Sequence, residues 1–325
     1  MEVALCDYGA RVVSIMVPDK SGKLVDVALG FDHIDGYIGA VEPYYGVTVG
    51  RFANRLSRGR FSVDGETYQV IPNNGINALH GGANGFHTQV WDRRIYDGSE
   101  IHFHHVSPDG AEGFPGNLRV SVVYSLTDNN VLKVSYRAYT DKPTILNLTN
   151  HTFFNLNGEG GATVENHYLQ LFAHYYLPVD PYQIPTGEMR AVDDTPFNFR
   201  KMRDLGEVLF DKYPQIQACG GIDHTFIVNK KEGELFRAAK LFSPRTGILL
   251  EVSTTEPGVQ VYTGNALSGK DKGKSGQAYK KHAAVCLETQ KFPDSPNQAG
   301  FSDCILRPEE CFTSETTYAF SILKG

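Results

Sequence analysis

Along much of the chain, apolar and polar residues alternate with a period of two. Leu118, Val120, Val122, Tyr124 and Leu126 alternate with Arg119, Ser121 and Ser125; Leu132, Val134, Tyr136 and Ala138 alternate with Lys133, Ser135 and Arg137. Successive side chains of a strand point to opposite faces, so each run predicts a strand with one buried face. The Asp128-Asn129-Asn130 turn between them predicts a hairpin. A second hairpin is predicted where Phe61-Ser62-Val63 and Thr67-Tyr68-Gln69-Val70 flank Asp64-Gly65, a pair that supplies the positive φ a two-residue loop needs. Further turn signals stand at Asn74-Gly75, Asn84-Gly85, Asp97-Gly98, Asp109-Gly110 and Asn157-Gly158. Helical periodicity is scarce. The segment from Arg203 to Tyr213, with Leu205, Val208 and Leu209 on one face, predicts a helix of about three turns. Many strands joined by short turns, with almost no helices between them, predict an all-β antiparallel sandwich rather than a βαβ fold. No linker, low-complexity segment or fixed-period repeat divides the 325 residues, so residues 1–325 are read as a single domain.

Hydrophobic residues at 41% and charged residues at 21% are ordinary for a globular protein, and 33 glycines suit a fold with many tight turns. The net charge of −6, with no stretch of basic residues interleaved with aromatics, argues against a nucleic-acid partner. No segment approaches the ~20 apolar residues of a membrane span. Met1-Glu2 opens without a basic and then apolar leader, so the expected location is the cytoplasm, with no membrane association. Five cysteines, Cys6, Cys219, Cys286, Cys304 and Cys311, form an odd set without a C-x-x-C pair, which predicts reduced thiols. The sequons Asn147-Leu148-Thr149 and Asn150-His151-Thr152 are expected to stay unmodified in a chain without a secretory leader.

Three motif look-alikes fail on their details. Gly273-Lys274-Ser275 ends like a phosphate-binding loop, but Ser268 stands where its first glycine belongs and no helical pattern follows. Gly269 to Gly276 is therefore read as a solvated loop. Gly158-Glu159-Gly160-Gly161 lacks the third glycine of a dinucleotide fingerprint. His102 and His104 would share a strand face, but no convincing third ligand lies nearby, so no metal site is expected. Without cofactor motifs, the chemistry falls to side-chain acids and bases, and no cofactor is expected.

Six polar clusters stand out: Gly50-Arg51-Phe52-Ala53-Asn54-Arg55, Leu79-His80-Gly81-Gly82, Asn147 to Asn155 around His151, Gly221-Ile222-Asp223-His224, Pro257-Gly258-Val259-Gln260 and Leu287-Glu288-Thr289-Gln290. Each sets a hydrogen-bonding or titratable group among small or apolar neighbours, as strand ends and loops do where they line a cleft. In this order and at these intervals, the set resembles the aldose 1-epimerases, or galactose mutarotases, from about Gly9 to the C-terminus. Tyr176-Leu177-Pro178-Val179-Asp180, Ile184-Pro185-Thr186-Gly187-Glu188, Val261 to Asn265 and Glu288 to Asp294 extend the match. The resemblance implies a large twisted β-sandwich, the galactose mutarotase-like supersandwich, with its site in a concave cleft. It implies that His151 is the general acid and Glu288 the general base, with Asn54, Arg55, His80, Asp223 and Gln260 contacting a small-molecule hexose. Family members carry an additional stretch before the segment equivalent to Ala4–Gly9, which leads to the expectation of a missing edge strand.

These residue types suit the implied reaction. Opening a pyranose removes the proton of the C1 hydroxyl and delivers one to the ring oxygen, so one base and one acid suffice. An ionised Glu288 can take the first and a protonated His151 can give the second. Rotation about C1–C2 then requires the grip to fall on other hydroxyls, a task for Asp223 and Arg55, while Phe292 is a candidate platform for the apolar sugar face or a core residue. A sugar-phosphate 1-epimerase would need more positive charge than Arg55 offers. A non-catalytic sugar sensor could dispense with His151 or Glu288, and a glycosidase would need a second carboxylate beside Glu288.

Overall fold

Leu118–Leu126 and Val131–Thr140 are adjacent antiparallel strands in register Val120 to Ala138, Val122 to Tyr136 and Tyr124 to Val134. The positions marked by the alternation are buried and enter the main core, except Leu126 at the strand end, which is half-buried. Burying one such side chain is worth roughly 1.5–3 kcal/mol, which fixes register, because a slip of one residue would expose the whole set. The Phe61 hairpin forms as predicted, pairing Arg60–Val63 with Glu66–Gln69 across Asp64 and Gly65, both at positive φ.

The structure is a computed structural model and describes residues 1–229 and 233–323. Among these residues, an antiparallel nine-stranded sheet runs in the order Arg203–Asp204, Tyr168–Leu171, Phe236–Phe242, Ile248–Thr254, Phe312–Ile322, Val131–Thr140, Leu118–Leu126, Glu100–Ser107, Asp92–Tyr96. A six-stranded sheet runs in the order Phe153–Phe154, Val285–Gln290, Gly258–Tyr262, Asp223–Val228, Ala173–Tyr176, Arg190–Ala191. One apolar cluster takes Val120, Val122 and Leu250 from the first sheet and Phe226, Val259, Val261 and Leu287 from the second, so the sheets pack face to face as a β-sandwich. Three short α-helices, Ile34–Ile38, Gly206–Leu209 and Pro214–Cys219, and four 3₁₀ turns complete the described elements together with smaller ladders. None of the described helices is long and apolar enough to cross a membrane. At the start of the chain, Glu2–Cys6 pairs with Arg11–Pro18 and itself forms the edge of a three-stranded sheet.

Two local expectations are corrected. The helix predicted over Arg203 to Tyr213 shrinks to Gly206–Leu209, although Leu205, Val208 and Leu209 are buried as their spacing requires. Arg203–Asp204 is captured by the strand Tyr168–Leu171. At the other end, Pro214 holds Tyr213 extended (ψ 130°) and starts a separate helix. Gly269 to Gly276 is not a solvated loop: Ser268–Lys272 pairs with Ala278–Lys280 as a hairpin whose turn drives Lys274 inward. Its ammonium donates to Val13 O (2.6 Å) and Ala28 O (2.9 Å) and pairs with Asp26 at 2.7 Å. The lysine of the phosphate-loop look-alike thus clamps two strands.

This clamp is testable. Lys274→Ala leaves the Asp26 carboxylate without its cation, held only by the N–H groups of Ile15 and Ala28, and breaking a buried pair costs about 3–5 kcal/mol. Because the two side chains keep 11% and 19% exposure, the expected loss is near the lower end of that range. Urea unfolding should show a lower midpoint with an unchanged slope; an unmoved midpoint would remove Lys274 from the stabilising contacts.

Candidate active site

The six-stranded sheet separates core from cavity by the same alternation. His224, Phe226 and Val228, Val259 and Val261, and Val285 and Leu287 are buried on the face toward the other sheet. Asp223 and Thr225, Gln260 and Tyr262, and Cys286, Glu288 and Gln290 therefore line the opposite face. Across it, Glu288 is opposite Gln260, Gln260 opposite Thr225, and Asp223 opposite Tyr262. Phe153 is opposite Cys286, and continuing that register by two residues brings His151 opposite Glu288. The outcome is a His151 Nε2 to Glu288 Oε2 distance of 3.6 Å, with side chains 5% and 2% exposed.

The asparagines around His151 brace it. Asn147 donates to Ala53 O and Lys291 O and accepts from Lys291 N, while Asn150 donates to Gly46 O and to the Tyr124 hydroxyl. Both sequon asparagines are buried, at 0% and 3% exposure. The histidine ring lies between Tyr44 (5.8 Å between centroids) and Phe153 (4.9 Å), with Tyr262 at its edge. Phe292, weighed as a platform, packs instead against Phe301 and Gly258 and is 4% exposed.

A short ladder of Arg55–Leu56 with Ala78–Leu79 delivers Asn54, Arg55 and His80 to the same cavity. Asn54 and His80 both adopt left-handed φ (66° and 52°). The Asn54 N–H donates to His80 Nδ1 (3.1 Å), and Asn54 Oδ1 accepts from Arg55 N–H (2.9 Å). Gly81 must be glycine: its φ is +84°, and a Cβ there would meet Gly50 O at 2.0 Å. Arg55 stands 3.7 Å from Asp223, and Asp223 accepts from Gln260 Nε2 (2.6 Å). His151, Glu288, Asn54, Arg55, His80, Asp223 and Gln260 thus all face one cavity, whereas Arg51 and His224 from the same polar clusters do not. Arg51 is 2% exposed and donates to Ser107 and to the carbonyls of Pro108 and Pro115. His224 is fully buried, its Nε2 against Gln215 Oε1 (3.1 Å).

Burial sets the electrostatics. It pushes His151 down to about 3 and Glu288 well above the usual carboxylate range, the latter helped by the charges of Asp223 and Glu42 and opposed by Arg55. The cavity therefore favours a neutral imidazole beside a protonated carboxyl, the reverse of the ionised pair expected from sequence, with the same single proton held between the two residues. His80 is also held neutral by burial.

His80, His151 and Glu288 place ligand atoms within 4.8 Å of one another, but the donor set suits a metal poorly. His80 Nδ1 already accepts the Asn54 N–H, so the proton of the neutral ring sits on Nε2, which faces the cavity as a donor rather than a lone pair. His102 and His104 point away to other partners, Glu100 and Ser121.

Sequence reasoning missed part of the wall. Asp271 accepts from Val41 N (2.9 Å), Glu42 N (3.0 Å) and the Tyr45 hydroxyl (3.2 Å), fixing a segment that lays Tyr44 4.5 Å from His80. Glu42, pushed up to about 7 by burial and by the charges of Asp271 and Asp223, adds a further carboxyl. No spacing rule links residues 42 and 271, so only the fold reveals them. A separate concavity of about 1350 Å³, lined by residues such as His104, Arg137 and Glu315, contains none of the seven converging residues.

Comparison with known proteins places this geometry. The sequence profile described as aldose 1-epimerase matches residues 1–319. The galactose mutarotase of Bos taurus is 42% identical, with 99% of this chain and 92% of that protein covered. The aldose 1-epimerase of Escherichia coli K12 is 37% identical over 98% and 92% of the two chains. An aldose epimerase homologue from C. elegans superposes with a TM-score of 0.91 at 34% identity, covering 99% of this chain and 96% of that one. The galactose 1-epimerase of Lactobacillus acidophilus gives 0.86 at 31% identity, covering 99% and 91%.

Because the Glu42 charge holds the Glu288 carboxyl up, Glu42→Gln should lower the pKa of Glu288. Carbon-13 NMR titration of the Glu288 carboxyl should show its midpoint moving to lower pH; an unchanged midpoint would mean that the two charges do not meet across the cavity.

Proposed function

The chain belongs to the aldose 1-epimerase family, and we propose that His151 and Glu288 exchange the two protons that open and close the sugar ring. The protein interconverts the α and β anomers of a free hexose, as its relatives' names indicate, with galactose and glucose as candidate substrates. One observation carries the residue assignment: a buried histidine and a buried carboxyl 3.6 Å apart, with Glu288 Oε2 free of other hydrogen-bond partners.

The reaction starts from the ion-paired arrangement, reached when the shared proton passes from Glu288 to His151. Glu288 then takes the proton of the C1 hydroxyl while His151 delivers its own to the ring oxygen. That step leaves a protonated carboxyl and a neutral imidazole, the same arrangement that burial favours at rest, so the ion pair is needed only while the protons move. Rotation about C1–C2 presents the other carbonyl face, and reclosure reverses both transfers. Asp223 and Arg55 hold hydroxyls away from C1, with Asn54, His80 and Gln260 adding directional contacts. Asp223 and Glu288 share one guanidinium, Arg55, and Glu42 adds further negative charge, a balance that disfavours a phosphorylated sugar. The presence of both acid and base disfavours a sensor. The cytoplasm is the compartment we propose, supported by five unpaired cysteines.

Glu288→Gln and His151→Asn should each lower kcat by roughly 10²- to 10⁴-fold in polarimetric assays of freshly dissolved α-galactose, while calorimetry still detects sugar binding. The double variant should lose much less than the product of the single losses, because both groups act in one step. A near-normal kcat in either single variant would remove that residue from the chemistry. Exhaustive chelation should leave the wild-type rate unchanged; a loss restored by zinc would overturn the reading of His80 Nε2 as a hydrogen-bond donor rather than a metal ligand.

A further inference from the structure

The loop at the Arg55 end of the cavity is built around Asp180. Its carboxylate accepts from Tyr182 N–H (2.8 Å) and Ile184 N–H (2.9 Å). Asp180 N–H donates to Ile184 O and Gln183 N–H donates to Asp180 O, each at 2.9 Å. Both ends of the loop are pinned: Gln215 bonds both backbone groups of Val179, and Gln298 Nε2 donates to Pro185 O. Within this frame Gln183 takes a left-handed φ of 61°, a conformation unfavourable for a non-glycine residue, so the loop imposes it. Pro181 and Tyr182 are exposed, whereas Gln183 is partly buried and turns inward. Its Oε1 accepts from Arg55 Nη2, and its amide also reaches the Cys219 thiol. The remaining Arg55 side-chain contacts are Asn74 Oδ1 at 3.3 Å and Asp223 at 3.7 Å.

We propose that Gln183 is a specificity-determining residue that completes the hydroxyl-reading end of the cavity and sets the preference between hexoses differing at C4. This rests on the reading that Arg55 and Asp223 grip the sugar while His151 and Glu288 act at C1. Asp223 lies two strands from Glu288, about 10 Å at the usual strand spacing. In a pyranose the ring atom opposite C1 is C4, so the end of the cavity remote from the proton-transfer pair meets the C4 hydroxyl. A carboxamide is suited to reading it: its oxygen accepts from Arg55, one N–H reaches Cys219, and the second N–H remains a neutral donor. Galactose and glucose differ only in whether this hydroxyl is axial or equatorial, so a fixed donor can satisfy one better than the other.

The experiment measures kcat and KM by polarimetry for galactose, glucose and the 4-deoxy hexose, in wild type, Gln183→Leu and the length-preserving Gln183→Met. Losing a neutral hydrogen bond should raise KM for the preferred epimer by about 2- to 12-fold with kcat unchanged. The galactose-to-glucose ratio of kcat/KM should move toward one, and KM for the 4-deoxy sugar should match wild type. Equal KM increases for all three sugars would overturn the proposal, since Gln183 would then act only through Arg55 or the loop. Unchanged KM values in both variants would overturn it as well. A wild type that accelerates no anomerisation would instead fail the underlying reading of the site, and the proposal with it.

Discussion

A slip of Val285–Gln290 by one residue along Gly258–Tyr262 would turn Glu288 into the core and expose Leu287 in the cavity. The same ladder therefore holds the sandwich together and assembles the chemistry. Burial of the apolar set is worth several kcal/mol per strand, and that energy fixes where the polar set stands. The His151–Glu288 contact needs no dedicated scaffold. His151 continues the Phe153 to Cys286 pairing, and Glu288 is the next cavity-facing residue on its own strand.

Around this ladder, buried cations replace linkers as the means of holding loops. Arg11, Arg51 and Lys274 lie inside and are satisfied largely by backbone carbonyls. Burial lowers Arg11 and Arg51 to about 10, which leaves both charged at neutral pH. Arg11 matters most to the site, since it donates to His87 O and Tyr45 O behind the Tyr44 wall. A guanidinium can do this because its donors fan out in one plane and reach several chain segments at once.

Strand identity and the inward faces of the long hairpins were legible, because strict alternation sustained over nine or ten residues matches the two-residue repeat of a half-buried strand and clashes with the 3.6-residue repeat of a helix. The seven residues named by resemblance proved to share one cavity, although their roles there remain a proposal. What could not be read arises from distant partners. Glu42 depends on Asp271, Gln183 on Arg55, and Lys274 on Asp26, pairs separated by more than a hundred residues or joined across unrelated strands. The helix over Arg203 to Tyr213 failed for a related reason: its first turn was claimed by a ladder with Tyr168–Leu171 that no local window contains. Protonation was the least legible property, since it reflects burial rather than residue type.

The buried asparagines before and after Leu148 and Thr149 carry a practical consequence for making the protein. Asn147 and Asn150 have no room for an oligosaccharide once their amides are bonded to Ala53, Lys291, Gly46 and Tyr124. A host that routed the chain through its endoplasmic reticulum would meet both sequons while the polypeptide was still unfolded. A glycan attached at that moment would block the segment that carries His151 from closing against Gly46 and Val47. Secretory expression would therefore yield trapped, glycosylated chains, whereas synthesis in a glycosylation-free compartment lets the same sequence fold.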